Sequence, residues 1–149
     1  MMIKKAITIL LFTISLTTFS QKLTCKDFKE GTFYIPKDSI NPFTFKVFRS
    51  SNSQTELITN LHEIDKGFLK EFPQYKEEFH ETITWINDCT FRLKFDETKM
   101  KLTNSMKEMN RNGGLLIEKL KIKGKCFYYT SSMKIQGETQ RVNGKICKE

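Results

Sequence analysis

Four cysteines, Cys25, Cys89, Cys126 and Cys147, and two histidines, His62 and His80, have the widest chemical repertoire in this chain. A thiolate can attack a carbonyl, hold a metal or pair with a second sulfur, and an imidazole can move a proton or bind a metal. The spacing supports little of this. No Cys-x-x-Cys pair opens a zinc site, and neither histidine belongs to an HExxH helix or a nucleophile motif. Glu77 with Glu78, and Glu63 with Asp65, lie in lysine-rich stretches and read as solvated surface. Gly113-Gly114 lacks the preceding strand, lysine and hydroxyl of a phosphate-cradling loop. The residues predict no catalytic group, no metal ligand and no cofactor, and the cysteines read as two disulfides.

That last reading depends on compartment, because disulfides persist where the surroundings are oxidising. Lys4 and Lys5, the apolar stretch Ala6 to Leu16 and the small-residue end Thr18-Phe19-Ser20 have the pattern of an export signal, cleaved between Ser20 and Gln21. Export predicts a periplasmic or extracellular address for residues 21–149, a length suited to a single β domain. No later stretch approaches the roughly 20 apolar residues of a membrane span. Lys22 and Thr24 stand where a lipoprotein would carry a leucine-like and a small residue before Cys25, which disfavours a lipid anchor. The formal charge is +8, of which Lys4 and Lys5 supply two. The remaining lysines are spread among apolar and acidic neighbours with few arginines, so the surplus reads as solvated surface and no nucleic-acid partner is predicted.

The elements that would position the sulfurs are strands. Thirteen phenylalanines and four tyrosines stand against three prolines. Gly31 to Ile35 reads as a strand closed by Pro36, and Phe43, Phe45 and Val47 alternate with polar residues after the Asn41-Pro42 turn. Thr55, Leu57, Thr59 and Leu61 form one side of a third strand, with Glu56, Ile58 and Asn60 on the other. Between Leu61 and Phe79 the spacing turns helical, but Gly67 and Pro73 limit it to a turn or two and an irregular loop. Ser105 and Glu108 have capping-box spacing for a short helix ended by Gly113-Gly114.

Between Thr82 and Phe95 the odd positions Ile83, Trp85, Phe91, Leu93 and Phe95 are apolar and their neighbours polar. A three-residue loop of Asn87, Asp88 and Cys89 would set Trp85 opposite Phe91, although one long bulged strand fits the same pattern. Leu115 to Lys123, Cys126 to Ser132 and Gln140 to Cys147 read as a meander, with a β-bulge between Ile117 and Leu120 where the apolar parity shifts. A turn about Gln136-Gly137 places Cys126 directly opposite Cys147, within disulfide reach. Cys25 is then left for Cys89.

These features predict an all-β antiparallel meander of about seven or eight strands with one or two short helices, curled toward a barrel or half barrel. Trp85, Phe91, Leu93, Phe127 and Tyr129 form an aromatic stripe that would fill the core or, in a barrel that stays partly open, line a pocket for a small apolar ligand. Cys25-Lys26-Asp27-Phe28-Lys29-Glu30-Gly31-Thr32-Phe33, Gln54-Thr55-Glu56 after Arg49, Trp85 to Leu93, and Ile122 to Tyr129 carry a resemblance over most of the chain. It resembles a group of small exported bacterial β proteins whose sheet is similar to lipocalin-type half barrels. Cys25 and Cys89 match that pattern, Cys126 and Cys147 are an addition, Leu61 to Glu78 is longer, and no functional residues carry over. The expectation is a non-enzymatic binding protein of the envelope or medium, taking a small apolar ligand or an envelope protein. The alternative is a secreted hydrolase or an inhibitor of one, marked by titratable groups converging in a cleft.

Overall fold

The computed structural model describes residues 22–135 and 137–149. The export signal and its cleavage point at Ser20 and Gln21 lie outside these residues. Eight strands run in chain order: β1 (Gly31–Ile35), β2 (Phe45–Arg49), β3 (Ser53–Ile58), β4 (Phe79–Trp85), β5 (Thr90–Phe95), β6 (Leu115–Lys123), β7 (Cys126–Ile135) and β8 (Glu138–Lys148). Each pairs antiparallel with the next, and β8 returns to β1 through Phe33 opposite Lys148 and Tyr34 opposite Cys147, so the sheet is a closed barrel. The strand pattern alone is equally compatible with a half barrel. Closure leaves a filled or ligand-sized interior at this strand number.

The registers follow the turns that the sequence implied. Trp85 faces Phe91 and Ile83 faces Leu93, as the three-residue loop requires. Cys126 faces Cys147 and Phe127 faces Ile146. The β6–β7 register shifts between Lys119 and Lys121, leaving Leu120 bulged and outward. Disulfides join Cys25 to Cys89 and Cys126 to Cys147.

One end of the barrel is closed. The short 3-10 turn Cys25–Phe28 crosses it, driving Phe28 against Phe33 at 5.8 Å and Phe127 at 5.4 Å between ring centroids. Phe28, Phe33, Val47, Phe91, Phe127 and Ile146 are buried there in one apolar cluster. The Cys25–Cys89 bond ties this plug to the β4–β5 turn, so the sulfur link and the aromatic plug secure the same end.

The other end carries the long connections. Two 3-10 turns, Leu61–Glu63 and Pro73–Lys76, flank α1 (Lys66–Glu71), whose N-terminus is capped by Asp65 accepting from the Phe68 N–H at 2.9 Å. Helix α2 (Asn104–Arg111) follows β5. Its cap is Thr103, not Ser105: the Thr103 hydroxyl accepts from the Met106 N–H, starting the helix two residues earlier than the capping-box spacing implied. Asn110 fixes α2 to the barrel by behaving as an extra strand residue, accepting from the Phe95 N–H and donating to the Phe95 carbonyl, both at 2.9 Å. Gly114 then turns with φ +79°, where a Cβ would overlap the Leu93 carbonyl.

Loop-closure entropy ranks the two bridges. Replacing Cys25 and Cys89 by alanine is expected to cost about 4 kcal/mol, and replacing Cys126 and Cys147 about 3 kcal/mol, because they span 64 and 21 residues. Urea unfolding of the two double variants checks the order; a greater loss for the second pair would contradict it.

Candidate functional site

Strand pairing brings four polar side chains to the inside of β2, β3 and β4. Arg49 lies opposite Gln54, Gln54 opposite Glu81, and Glu81 opposite Phe95, forming one rung across four strands. Val47, Glu56 and Phe79 form the next rung. Cross-strand neighbours on one face lie within side-chain reach. The Gln54 amide exploits this fully: its oxygen accepts from Arg49 Nε at 2.7 Å, and its nitrogen donates to Glu56 Oε1 at 2.6 Å and to Glu81 Oε2 at 2.9 Å.

Arg49 is held on the other side by the closed end. Its Nη1 donates to the Phe28 carbonyl at 2.8 Å, and its guanidinium lies 4.7 Å from the Phe91 ring centroid and 5.5 Å from that of Phe33. Planar, weakly hydrated guanidinium suits such a site better than an ammonium would. Burial nevertheless lowers the Arg49 pKa to about 10, so it stays charged at neutral pH. Among the described residues no ion pair reaches Glu56 or Glu81. Burial raises Glu56 to about 7, against the pull of Arg49 and the Gln54 hydrogen bond. Glu81 is pushed well above the ordinary carboxylate value by burial first and by the charge of Glu56 second. Two carboxylates bonded to one nitrogen cannot both ionise cheaply. Tyr129 lies across Gly144 and stays a neutral phenol, its pKa raised chiefly by burial.

Above this polar rung the barrel opens into a cavity of about 410 Å³. Glu56 and Glu81 lie at its base, Phe45, Phe79 and Phe95 form its strand walls, Phe72 and Tyr75 cover it from the β3–β4 connection, and Met106 and Met109 from α2. The rings pack in sequence, Phe43 on Tyr75 at 5.0 Å, Tyr75 on Phe79 at 5.9 Å and Phe79 on Phe95 at 6.4 Å. Asn60 braces the rim by accepting from the Thr44 N–H and donating to the Pro42 carbonyl.

The residues singled out from sequence lie elsewhere. Phe91, Leu93 and Phe127 are buried in the filled half, and Tyr129 packs partly buried against them. Trp85 is half-buried at the closed end, with Nε1 donating to the Ser51 carbonyl at 2.7 Å and Lys29 over its ring. None of the five lines the 410 Å³ cavity. His62 is exposed beside Glu63. His80 points outward from β4, with Nδ1 3.2 Å from Thr55 Oγ1 and Nε2 3.6 Å from Glu78, while its backbone N–H is spent on Met100 Sδ. Among the described residues no group of acidic, histidine and cysteine side chains could hold a metal ion.

The interior carboxylates escaped sequence reading, although a signal was present. Glu81 has the same parity as Phe79, Ile83 and Trp85, Arg49 that of Phe45 and Val47, and Gln54 and Glu56 that of Ile58. A charge on the apolar side of a strand marks an interior polar site. Comparison of the chain with protein-family models, curated proteins and solved structures gives no match.

The raised carboxylates set the pH dependence of stability. A glutamate that binds its proton more tightly when folded stabilises fully below its unfolded pKa, and that stabilisation is lost as pH rises through the folded value. Thermal stability is therefore expected to fall between pH about 4.5 and about 7, with the raised Glu81 adding to the decline. Glu81→Gln, which keeps an acceptor for Gln54, should flatten the slope and raise the melting temperature at pH 8. Calorimetry across this range checks it, and a melting temperature that climbs from pH 5 to pH 7 would contradict it.

Proposed function

We propose that this protein is an exported, lipocalin-like binding protein whose barrel mouth takes a small ligand with an apolar body. The observation that carries the reading is the division of the interior: the plugged half is filled with side chains, whereas the opposite half keeps a cavity of about 410 Å³ walled by aromatic and methionine side chains. Cavities of this size, mostly apolar with a few placed polar groups, are what small-molecule sites look like. Phenylalanine and tyrosine walls offer large contact area at little rotamer cost, and methionine adapts to irregular shapes. The two disulfides are consistent with an oxidising address. Among the described residues no helix is long and apolar enough to cross a membrane.

The hydrolase alternative has weaker support. It would need a nucleophile or an ordered water beside the carboxylate pair, and the cavity lining offers Thr103 and Ser105 near α2 and no histidine.

The neutral fluorophore N-phenyl-1-naphthylamine is expected to bind one per chain with enhanced emission. Tyr75→Ala, which removes a wall ring, should weaken it about tenfold. Trp85→Phe, at the closed end, should leave affinity unchanged. Absence of binding, or sensitivity to Trp85 and not to Tyr75, would overturn the placement, and hydrolytic turnover of ester or glycoside substrates lost in Glu56→Gln would favour the alternative.

A further inference from the structure

The charge distribution around the cavity is the reverse of the protein's own. The chain holds 25 lysines and arginines against 17 acids, yet the cavity lining contains two glutamates and no lysine, arginine or histidine. A site for a fatty acid or a phosphorylated molecule would place a cation where the headgroup sits. Here Arg49, which shares Gln54 with the glutamates, is turned toward Gln54 Oε1, the Phe28 carbonyl and two aromatic rings.

The carboxylates also have acceptor capacity to spare. Glu56 and Glu81 present four oxygens, of which Gln54 Nε2 engages two. Every fully enclosed side-chain polar atom among the described residues has a hydrogen-bond partner. The two unengaged oxygens must therefore open onto the cavity that both residues line. Glu81 is itself only 9 % exposed, so that opening faces the cavity and not bulk water. Around them stand Phe45, Tyr75, Phe79 and Phe95, whose π faces attract a cation.

Resting on the binding-protein reading above, we propose that the ligand is an organic ammonium: an apolar body packed against the aromatic wall, with its cationic nitrogen seated on the Glu56 and Glu81 carboxylates. Arg49 supplies one positive charge against two interior carboxylates, so the site offsets the second by holding a proton. An incoming ammonium supplies the missing positive charge, so the pair releases that proton to solvent as the ligand enters. Charge balances: one cation comes in, one proton goes out, and no bond to the ligand is made. The groups facing the pair do not obscure this exchange, since Arg49 remains cationic and Tyr129 neutral between pH 5 and 8, and His80 lies on the outer face of β4.

Three probes of matched shape test the proposal by isothermal titration: 4-phenylbutylammonium, 4-phenylbutanol and 4-phenylbutanoate. At pH 8 the ammonium is expected to bind at least about tenfold more tightly than the alcohol, a tenfold step being about 1.4 kcal/mol, and the carboxylate least tightly. The trimethylammonium analogue, whose charge is fixed, should gain about tenfold in affinity per pH unit between pH 5 and 7, the slope for one released proton. The Glu56→Gln, Glu81→Gln double variant, its cooperative thermal unfolding reporting an intact barrel, should lose both the ammonium preference and the slope, whereas Trp85→Phe at the closed end should keep both. Equal binding of alcohol and ammonium, or best binding of the carboxylate, overturns the ammonium assignment alone. Failure of all three probes to bind overturns the binding-protein reading and this inference with it.

Discussion

The side-chain amide of Gln54 is the joint on which the interior turns. It bonds the buried guanidinium of Arg49 through its oxygen and two interior carboxylates, the half-buried Glu56 and the buried Glu81, through its nitrogen. Arg49 in turn reaches the carbonyl of Phe28, the residue that plugs the closed end. A single amide thus connects the plugged half of the barrel to the floor of the open half. Without it, a cation and two acids would be left in a low-dielectric interior with unmet hydrogen bonds, a condition that costs far more than an apolar replacement would. The polar rung occupies inward positions of β2, β3 and β4 where apolar side chains would carry no desolvation cost. Stability alone does not call for it, which is why the open cavity above it is the natural place to look for its purpose.

The two ends of the barrel divide the work physically. At the closed end a disulfide, an aromatic plug and the cation–π contacts of Arg49 immobilise the N-terminal segment against β1, β5 and β7. At the open end the strands are joined by long connections held by point contacts, Asn60 between two loops and Asn110 between α2 and β5. Rigid walls with cover elements fastened by a few hydrogen bonds are the arrangement that the proposed ligand entry would require, since the cover can open locally without unfolding the sheet. The Cys126–Cys147 bond lies between neighbouring strands beside the seam where β8 meets β1, at Tyr34 opposite Cys147. It therefore fixes β8 to β7 next to the two-residue seam that closes the barrel.

Much of the fold was legible because β structure writes its period into the chain. The alternation of Ile83, Trp85, Phe91, Leu93 and Phe95 specified the β4–β5 register, since a slip by one residue would expose the whole apolar face. The parity shift after Ile117 located the bulge at Leu120. The cap at Thr103 was missed because Ser105 and Glu108 also satisfy capping-box spacing, and one-dimensional spacing does not say which hydroxyl meets a free N–H. Closure was open in the sequence because it depends on strand tilt and on β8 reaching β1, neither of which leaves a local mark. The site was least legible. Alternation separates two faces without labelling the interior one, and on β3 both faces carry polar residues, so the side bearing Glu56 could not be assigned to the interior. The aromatic stripe around Trp85 attracted attention because it is contiguous in sequence, whereas the cavity wall is assembled from β2, β4, β5, the β3–β4 connection and α2.

Two interior carboxylates, with no ion-pair partner among the described residues, stand at the base of an apolar cavity. Carbon-13 NMR titration of the glutamate side-chain carboxyls reads this directly, residue by residue. Two resonances are expected to keep their protons well above the ordinary glutamate range, Glu56 with a midpoint near 7 and Glu81 likewise raised, both moving when 4-phenylbutylammonium is added. If every glutamate carboxyl titrates together near 4.5, the carboxylates are solvated or paired and the account is wrong.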